Sequence, residues 1–360
     1  MMKKDGFYIE MQRFAKLLAW FTLPFAALLL FYVCADPFKV IWTYESYYPQ
    51  QVAGGVSLNP AHVATQNYLR HNPAEGYDSF ILGNSRSIYY PIAAWSRHLP
   101  EGSRCYHYDA ANESLLGLWQ KLQFIASRSR KEGTLRNVLM VVDAGLLEKV
   151  ECDHWHLCET PPVLTGYRNL VSFHWYNLKT FITPTFLLAY VDYSLFHRLR
   201  PYMLRKSLMT DDMFIYDARG NECDFVPLER EIAEGTYYTE QRQRVFEGVQ
   251  FPDSVSPAVI GTRQYELLDS IHAILERYGT STQIVVSPLY NQIRLNPSDL
   301  RCLEQLFGTD HVTDFSGPNA WNADFHNYYE ASHYRPTVAI AVLDSVYSKK
   351  SWCKIWRIRE

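Results

Sequence analysis

The sequence carries no excess of either charge. Thirty-five basic and 38 acidic side chains leave a formal net charge of −3 over 360 residues. Without a basic footprint, no nucleic-acid partner is expected. There is also no second apolar run of membrane length, no internal repeat and no low-complexity segment, which leaves one anchor and no solenoid. The one long apolar run lacks a small-x-small cleavage site after it, and Cys34 follows Val33 and Tyr32 rather than the small residues of a lipoprotein site. A retained anchor is therefore expected in preference to a cleaved signal peptide. No cofactor motif is present.

What is there begins with that run, residues 17–35, apolar apart from Thr22 and Pro24. Nineteen helical residues span about 28 Å, close to the hydrocarbon thickness of a bilayer. Lys3, Lys4, Arg13 and Lys16 precede it, and Asp36 is the first charge after it. The positive-inside rule puts residues 1–16 in the cytoplasm and everything after the span outside. The remaining chain is long enough for one large domain, or for a core domain carrying an insertion. Twenty-six Tyr, 19 Phe and 9 Trp suit a carbohydrate-facing or membrane-facing protein, and equally an aromatic core. Seven cysteines in an oxidising compartment permit disulfides, but their count fixes no pairing.

Residues 36–76 are punctuated by Asp36-Pro37, Tyr48-Pro49, Gly54-Gly55, Asn59-Pro60 and Asn72-Pro73. They read as a linker and entry segment with a short helix near 61–69. From residue 78 the pattern is α/β. Strands are expected at 78–82, 105–108, 136–143, 283–286 and 311–314, and helices at 88–98, 113–128, 259–278, 296–307 and 337–348. The unbroken apolar run 138–142 suits a strand buried on both faces. The alternation implies a parallel sheet with helices on both sides, forming an extracytoplasmic domain over 77–348. It is interrupted at about 146–257 by a largely helical insertion with a hairpin turn at 216–221. Its aromatic stretch 173–193 reads as a cap, a membrane-resting surface or a docking face, or as a satellite core. The tail 349–360 mixes basic residues with Trp and suits either an anionic membrane surface or solvent.

The chemistry concentrates in two short runs. Gly83-Asn84-Ser85-Arg86-Ser87 follows the first strand, and Glu330-Ala331-Ser332-His333 precedes the last helix. Beyond the carboxyl end of a strand, a serine in a tight turn is exposed where ligands of open α/β sheets sit. Its hydroxyl needs a base, for which His333 is the candidate, with Glu330 holding the imidazole in the useful tautomer. A second acid–His pair, Asp324 and His326, lies seven residues earlier. Arg86 suits either an anionic substrate group or a salt bridge to Asp143 or Glu113.

These two runs resemble the first and last blocks of the SGNH (GDSL-like) hydrolase superfamily. The likeness is to its membrane-anchored cell-envelope branch, which includes the alginate O-acetylation and teichoic-acid D-alanylation proteins. The resemblance covers about 78–143 and 258–348 plus the anchor. It implies a three-layer flavodoxin-like parallel sheet with Ser85 as nucleophile. The last block usually reads Asp-x-x-His, so Glu330 is a departure. The second block's glycine is missing from Asp109-Ala110-Ala111-Asn112-Glu113-Ser114, and Asp143-Ala144-Gly145 replaces the third block's asparagine. An ionised Asp143 would repel an oxyanion, so Gly83, Asn84, Asn112 and Gly145 are the remaining oxyanion or substrate-binding candidates. The resemblance implies an acyl esterase or O-acyltransferase of the bacterial inner membrane. Its acceptor would be a polysaccharide or other envelope glycopolymer, and a multi-spanning membrane acyltransferase its partner. A non-catalytic glycan-binding or scaffold protein on the same fold is the other reading.

One further cluster, Cys152-Asp153-His154-Trp155-His156-Leu157-Cys158, has metal-ligand residue types. Extended, it would span about 20 Å, too far for one ion. A Cys152–Cys158 disulfide is the preferred expectation, with a Cys152, His154, His156, Cys158 metal set the weaker one.

Overall fold

The computed structural model describes residues 2–128, 135–204, 208–249 and 253–357, with the side chains of residues 2–9 and 349–357 left aside. The chain opens with a helix, Met2–Ala35, longer than the 17–35 read from the sequence. Its portion Glu10–Ala35 is long and apolar enough to cross a membrane and is exposed along nearly all of its length.

Among the described residues ten strands follow: β1 Gln51–Val56, β2 Ser79–Gly83, β3 Cys105–His107, β4 Asn137–Val142, β5 Met209–Asp217, β6 Glu222–Asp224, β7 Ser281–Val286, β8 Val312–Asp314, β9 Tyr328–Glu330 and β10 His333–Tyr334. Five of them form the central sheet in the order β3-β2-β4-β7-β8, and every pairing in it is parallel. Every residue of β2 and β4 is buried, as their apolar runs require of strands covered on both faces. Alternate side chains divide between two cores. Phe80, Leu82, Val138, Met140 and Val142 join helices Leu115–Arg128, Thr262–Arg277 and Pro297–Phe307 on one side. Ile81, Leu139, Val141 and Val285 face helix Pro336–Arg357 and the insertion on the other.

The sheet positions the site through its order. The chain leaves β2 to form β3 on one side, then returns to form β4 on the other. The carboxyl end of β2 is therefore the point where the winding reverses, and such a point leaves a crevice for ligand.

Two expectations need correction. The segment 36–76 is more than a linker and entry segment: β1 pairs with β5 of the insertion, and helix Pro60–Glu75 runs well beyond 61–69. The insertion has more helix than strand, as expected, but it also carries strands. With β1, its β5 and β6 form a three-stranded antiparallel sheet, and Asn221 lies in the turn at positive φ. The expected helix 88–98 is instead a 3-10 turn, Ser87–Tyr89, and a short helix, Ile92–Ser96. Pro91, which has no N–H and holds an extended backbone, separates the two. The last helix continues to Arg357, so the backbone of 349–357 is helical; the side chains on which the basic-tail reading depends lie outside the described residues.

Candidate active site

Gly83 ends β2 against its neighbour. A Cβ there would lie 2.6 Å from the carbonyl oxygen of Val141 on β4, so only glycine lets the strand close up before turning. The turn is held from inside: the Ser87 N–H and hydroxyl both donate to the Asn84 carbonyl, and the Arg86 N–H donates to Asn84 Oδ1. Ser85 stands at its crest.

His333 comes from the opposite end of the fold. Glu330 and His333 are not on a helix; they face each other across the β9–β10 hairpin, with Ala331 and Ser332 as the turn. Cross-strand partners are close enough for their side chains to meet directly. His333 Nδ1 pairs with Glu330 Oε1, and its Nε2 lies 2.8 Å from Ser85 Oγ. With Nδ1–H donated to the carboxylate, Nε2 is left to accept the serine's proton. The Tyr89 ring packs on the imidazole at 5.5 Å between centroids.

The hairpin itself is clamped. Tyr328 donates its hydroxyl to the Pro288 carbonyl beyond β7, and Tyr329 and Arg335 both donate to Glu229 on insertion helix Val226–Ala233. The insertion thus fixes the hairpin that brings His333 to Ser85.

Burial raises the Glu330 carboxyl, but His333 and the Ser332 N–H and hydroxyl outweigh it and bring its pKa down to about 2. A lowered pKa adds stability above the unfolded value, and that stability is lost as pH falls from about 4.5 toward 2. At pH 5 the carboxylate is already fully charged. Wild type is therefore expected to acylate Ser85 faster than Glu330→Gln at pH 8; equal rates there would contradict a role for the carboxylate.

Arg86 takes the salt-bridge role. Its Nη1 lies 2.8 Å from Asp143 Oδ2, and its Nε donates to the Ser332 carbonyl at 3.0 Å. It therefore ties the serine turn to both β4 and the histidine hairpin. Asn84 Nδ2 donates to the same Asp143 oxygen at 2.6 Å, and Asp143 Oδ1 caps helix Ala144–Glu148. Asp143 is thus an organiser of the turn.

Several sequence candidates fall elsewhere. Asn112 turns its amide to Asp153, 2.7 Å away, and neither it nor Gly145 lines the cavity at Ser85. Among the described residues, the N–H groups of Ser85 and Ala111 donate to no protein acceptor, and both residues line that cavity. Asp324 and His326 do pair, at 2.7 Å, but both are exposed, and the ring at Ser85 is that of His333. The Cys152–Cys158 disulfide is absent. Cys152 Sγ contacts Ser114 Oγ, the Cys158 sulfur accepts from Trp155 Nε1, and burial raises both thiol pKa values, to about 12 and about 11. His154 pairs with Glu159 while His156 packs on Phe38, and no metal-holding cluster of three such side chains forms among the described residues.

Sequence reasoning missed the cavity wall. Ser85 and His333 open into a cavity of about 810 Å³ whose wall also includes Asp109 and Asn221. Asn221, from the insertion's turn, donates to Asp109 Oδ1 and to the His107 carbonyl. Burial raises the Asp109 pKa. Below this wall, Lys121 joins Glu113 at 2.5 Å and donates to the Tyr108 and Asp109 carbonyls. A lysine on the apolar stripe of Leu118, Leu122 and Ile125 was the signal that a buried acid waited for it.

No family model and no curated protein sequence matches this chain.

Proposed function

We propose that this chain is a membrane-anchored, extracytoplasmic serine acyl esterase or O-acyltransferase of SGNH type. Its acceptor would be a cell-envelope or exported polysaccharide. One observation carries the reading: Ser85 Oγ and His333 Nε2, 248 residues apart in sequence, stand 2.8 Å apart, with Glu330 behind the imidazole. The 2-1-3-4-5 order of the five parallel strands, counted along the chain, supports it, since that is the flavodoxin-like order the resemblance implies.

Ser85 Oγ attacks the acyl carbonyl while His333 Nε2 takes the hydroxyl proton. Glu330 stabilises the imidazolium. The developing oxyanion meets the N–H groups of Ser85 and Ala111. As the tetrahedral species collapses, His333 returns the proton to the leaving oxygen and the acyl group stays on Ser85. Water or a sugar hydroxyl, deprotonated by the same imidazole, then takes the acyl group and frees the serine. In this reading the protein is single-pass in a bacterial inner membrane with its N-terminus cytoplasmic, and a multi-spanning acyltransferase is a fitting partner.

A fluorophosphonate probe tests the reading. Wild-type protein is expected to be labelled, and Ser85→Ala not at all, by intact-mass measurement. A folded wild type that stays unlabelled would favour a non-catalytic glycan-binding scaffold.

A further inference from the structure

The insertion carries two helices, Leu170–Phe181 and Pro184–Phe196, that are apolar on opposite faces at once. Their inner faces make a small core with the end of the N-terminal helix. Phe173, Phe181 and Phe186 pack on Leu28, Tyr32 and Val33, with Tyr32 and Phe181 ring centroids 5.0 Å apart. Their outer faces repeat the pattern toward solvent. Val171, Trp175 and Ile182 line one helix, and Leu188, Val191 and Leu195 the other, each at helical spacing. Val171 is 84% exposed, Leu188 67% and Leu195 69%. An exposed apolar face of this extent, interrupted by Lys179, marks a membrane or partner surface.

The height of this face follows from the anchor. The helices contact residues 28–33, within the last two turns of the apolar helix, so they lie about 10 Å or less below its outer end. Interfacial helices sink about 5–10 Å into the headgroup and acyl boundary. Trp42, half exposed just beyond the anchor, donates its indole N–H to the Val33 carbonyl, as suits an aromatic at a membrane interface.

The cavity at Ser85 reaches the same level. Its wall runs from Ser85 and His333, past Tyr190 and Tyr193 of the second helix, to Ala35 and Pro37 where the anchor ends. A volume of about 810 Å³ falls in the range of sites that enclose a whole small molecule, far more than an acetyl group needs.

We infer that the helix pair lies in the outer surface of the membrane beside the anchor, and that the cavity admits a membrane-borne acyl ester to Ser85 from that surface. The inference rests on the serine-acylation reading above. The ester bond breaks, the acyl carbon bonds to Ser85 Oγ, and the lipid-side alcohol leaves with the proton from His333. Continuity with the anchor selects lipid over a protein partner as the occupant of the exposed faces.

The test uses the full chain in phosphatidylglycerol–phosphatidylethanolamine vesicles. Brominated lipid is expected to quench the fluorescence that Trp175→Phe removes. Leu188→Asp with Leu195→Asp is expected to lower turnover of a vesicle-borne long-chain ester about tenfold or more, since two exposed leucines that would sink into lipid are lost from the contact. Turnover of soluble p-nitrophenyl acetate should not change. Equal vesicle turnover by variant and wild type, or an unquenched Trp175, overturns the inference and leaves the serine chemistry standing. If the double variant loses both activities, the Trp175 quenching decides. Absence of soluble-ester turnover in wild type would instead remove the proposed function, with quenching still reporting the membrane seat.

Discussion

His333→Ala is expected to slow acylation of Ser85 by about 10²–10⁴-fold, the usual contribution of a positioned general base. The variant should keep its fold. The imidazole is partly exposed, and its aromatic contact among the described residues is with Tyr89, so little core packing goes with it. The rate of fluorophosphonate labelling measures the effect and a thermal unfolding curve checks the fold. Two companions sharpen it. Glu330→Ala should fall between wild type and His333→Ala, because the imidazole remains while its tautomer and orientation are freed. His326→Ala should label at the wild-type rate, since that ring answers Asp324 at the surface. Wild-type labelling by His333→Ala would reduce the Ser85–His333 hydrogen bond to a structural one.

How much of this was legible depended on the range of the physical cause. The strands of the central sheet were readable because a parallel strand buried on both faces favours a continuous apolar run, as at residues 138–142 and, more briefly, 284–286. The serine turn was readable because Gly83 marks the close approach to Val141. Glu330 and His333 were readable as residue types three apart, but not as a hairpin. Two-residue strands leave almost no periodicity, and this hairpin is held by Glu229, about a hundred residues away. The helix expected at 88–98 failed because apolar spacing was followed past Pro91, where the missing N–H stops it. The roles of Arg86 and Asn112 were undecidable from sequence. Each had acids within reach, and only the folded distances assign Asp143 to one and Asp153 to the other.

Lys121→Met should produce the largest loss of stability, about 3–5 kcal/mol, because it strands the Glu113 carboxylate in the core without its cation. Both side chains are almost wholly buried, at 1% and 2% exposure. A buried pair is costly to assemble, so removing both charges should be much milder than removing one. Glu113→Gln with Lys121→Met is expected to regain most of the loss, and urea unfolding of the two single variants and the double measures the coupling. The regain should not extend fully to chemistry. Lys121 Nζ also holds the Tyr108 and Asp109 carbonyls, just before Ala111, which lines the same cavity as Ser85. Methionine donates to neither carbonyl, so the double variant should stay folded yet label more slowly than wild type. A double variant with wild-type labelling would mean that the loop at Ala111 holds its shape without the lysine. Single variants that unfold at the wild-type urea midpoint would mean that water already reaches this pair.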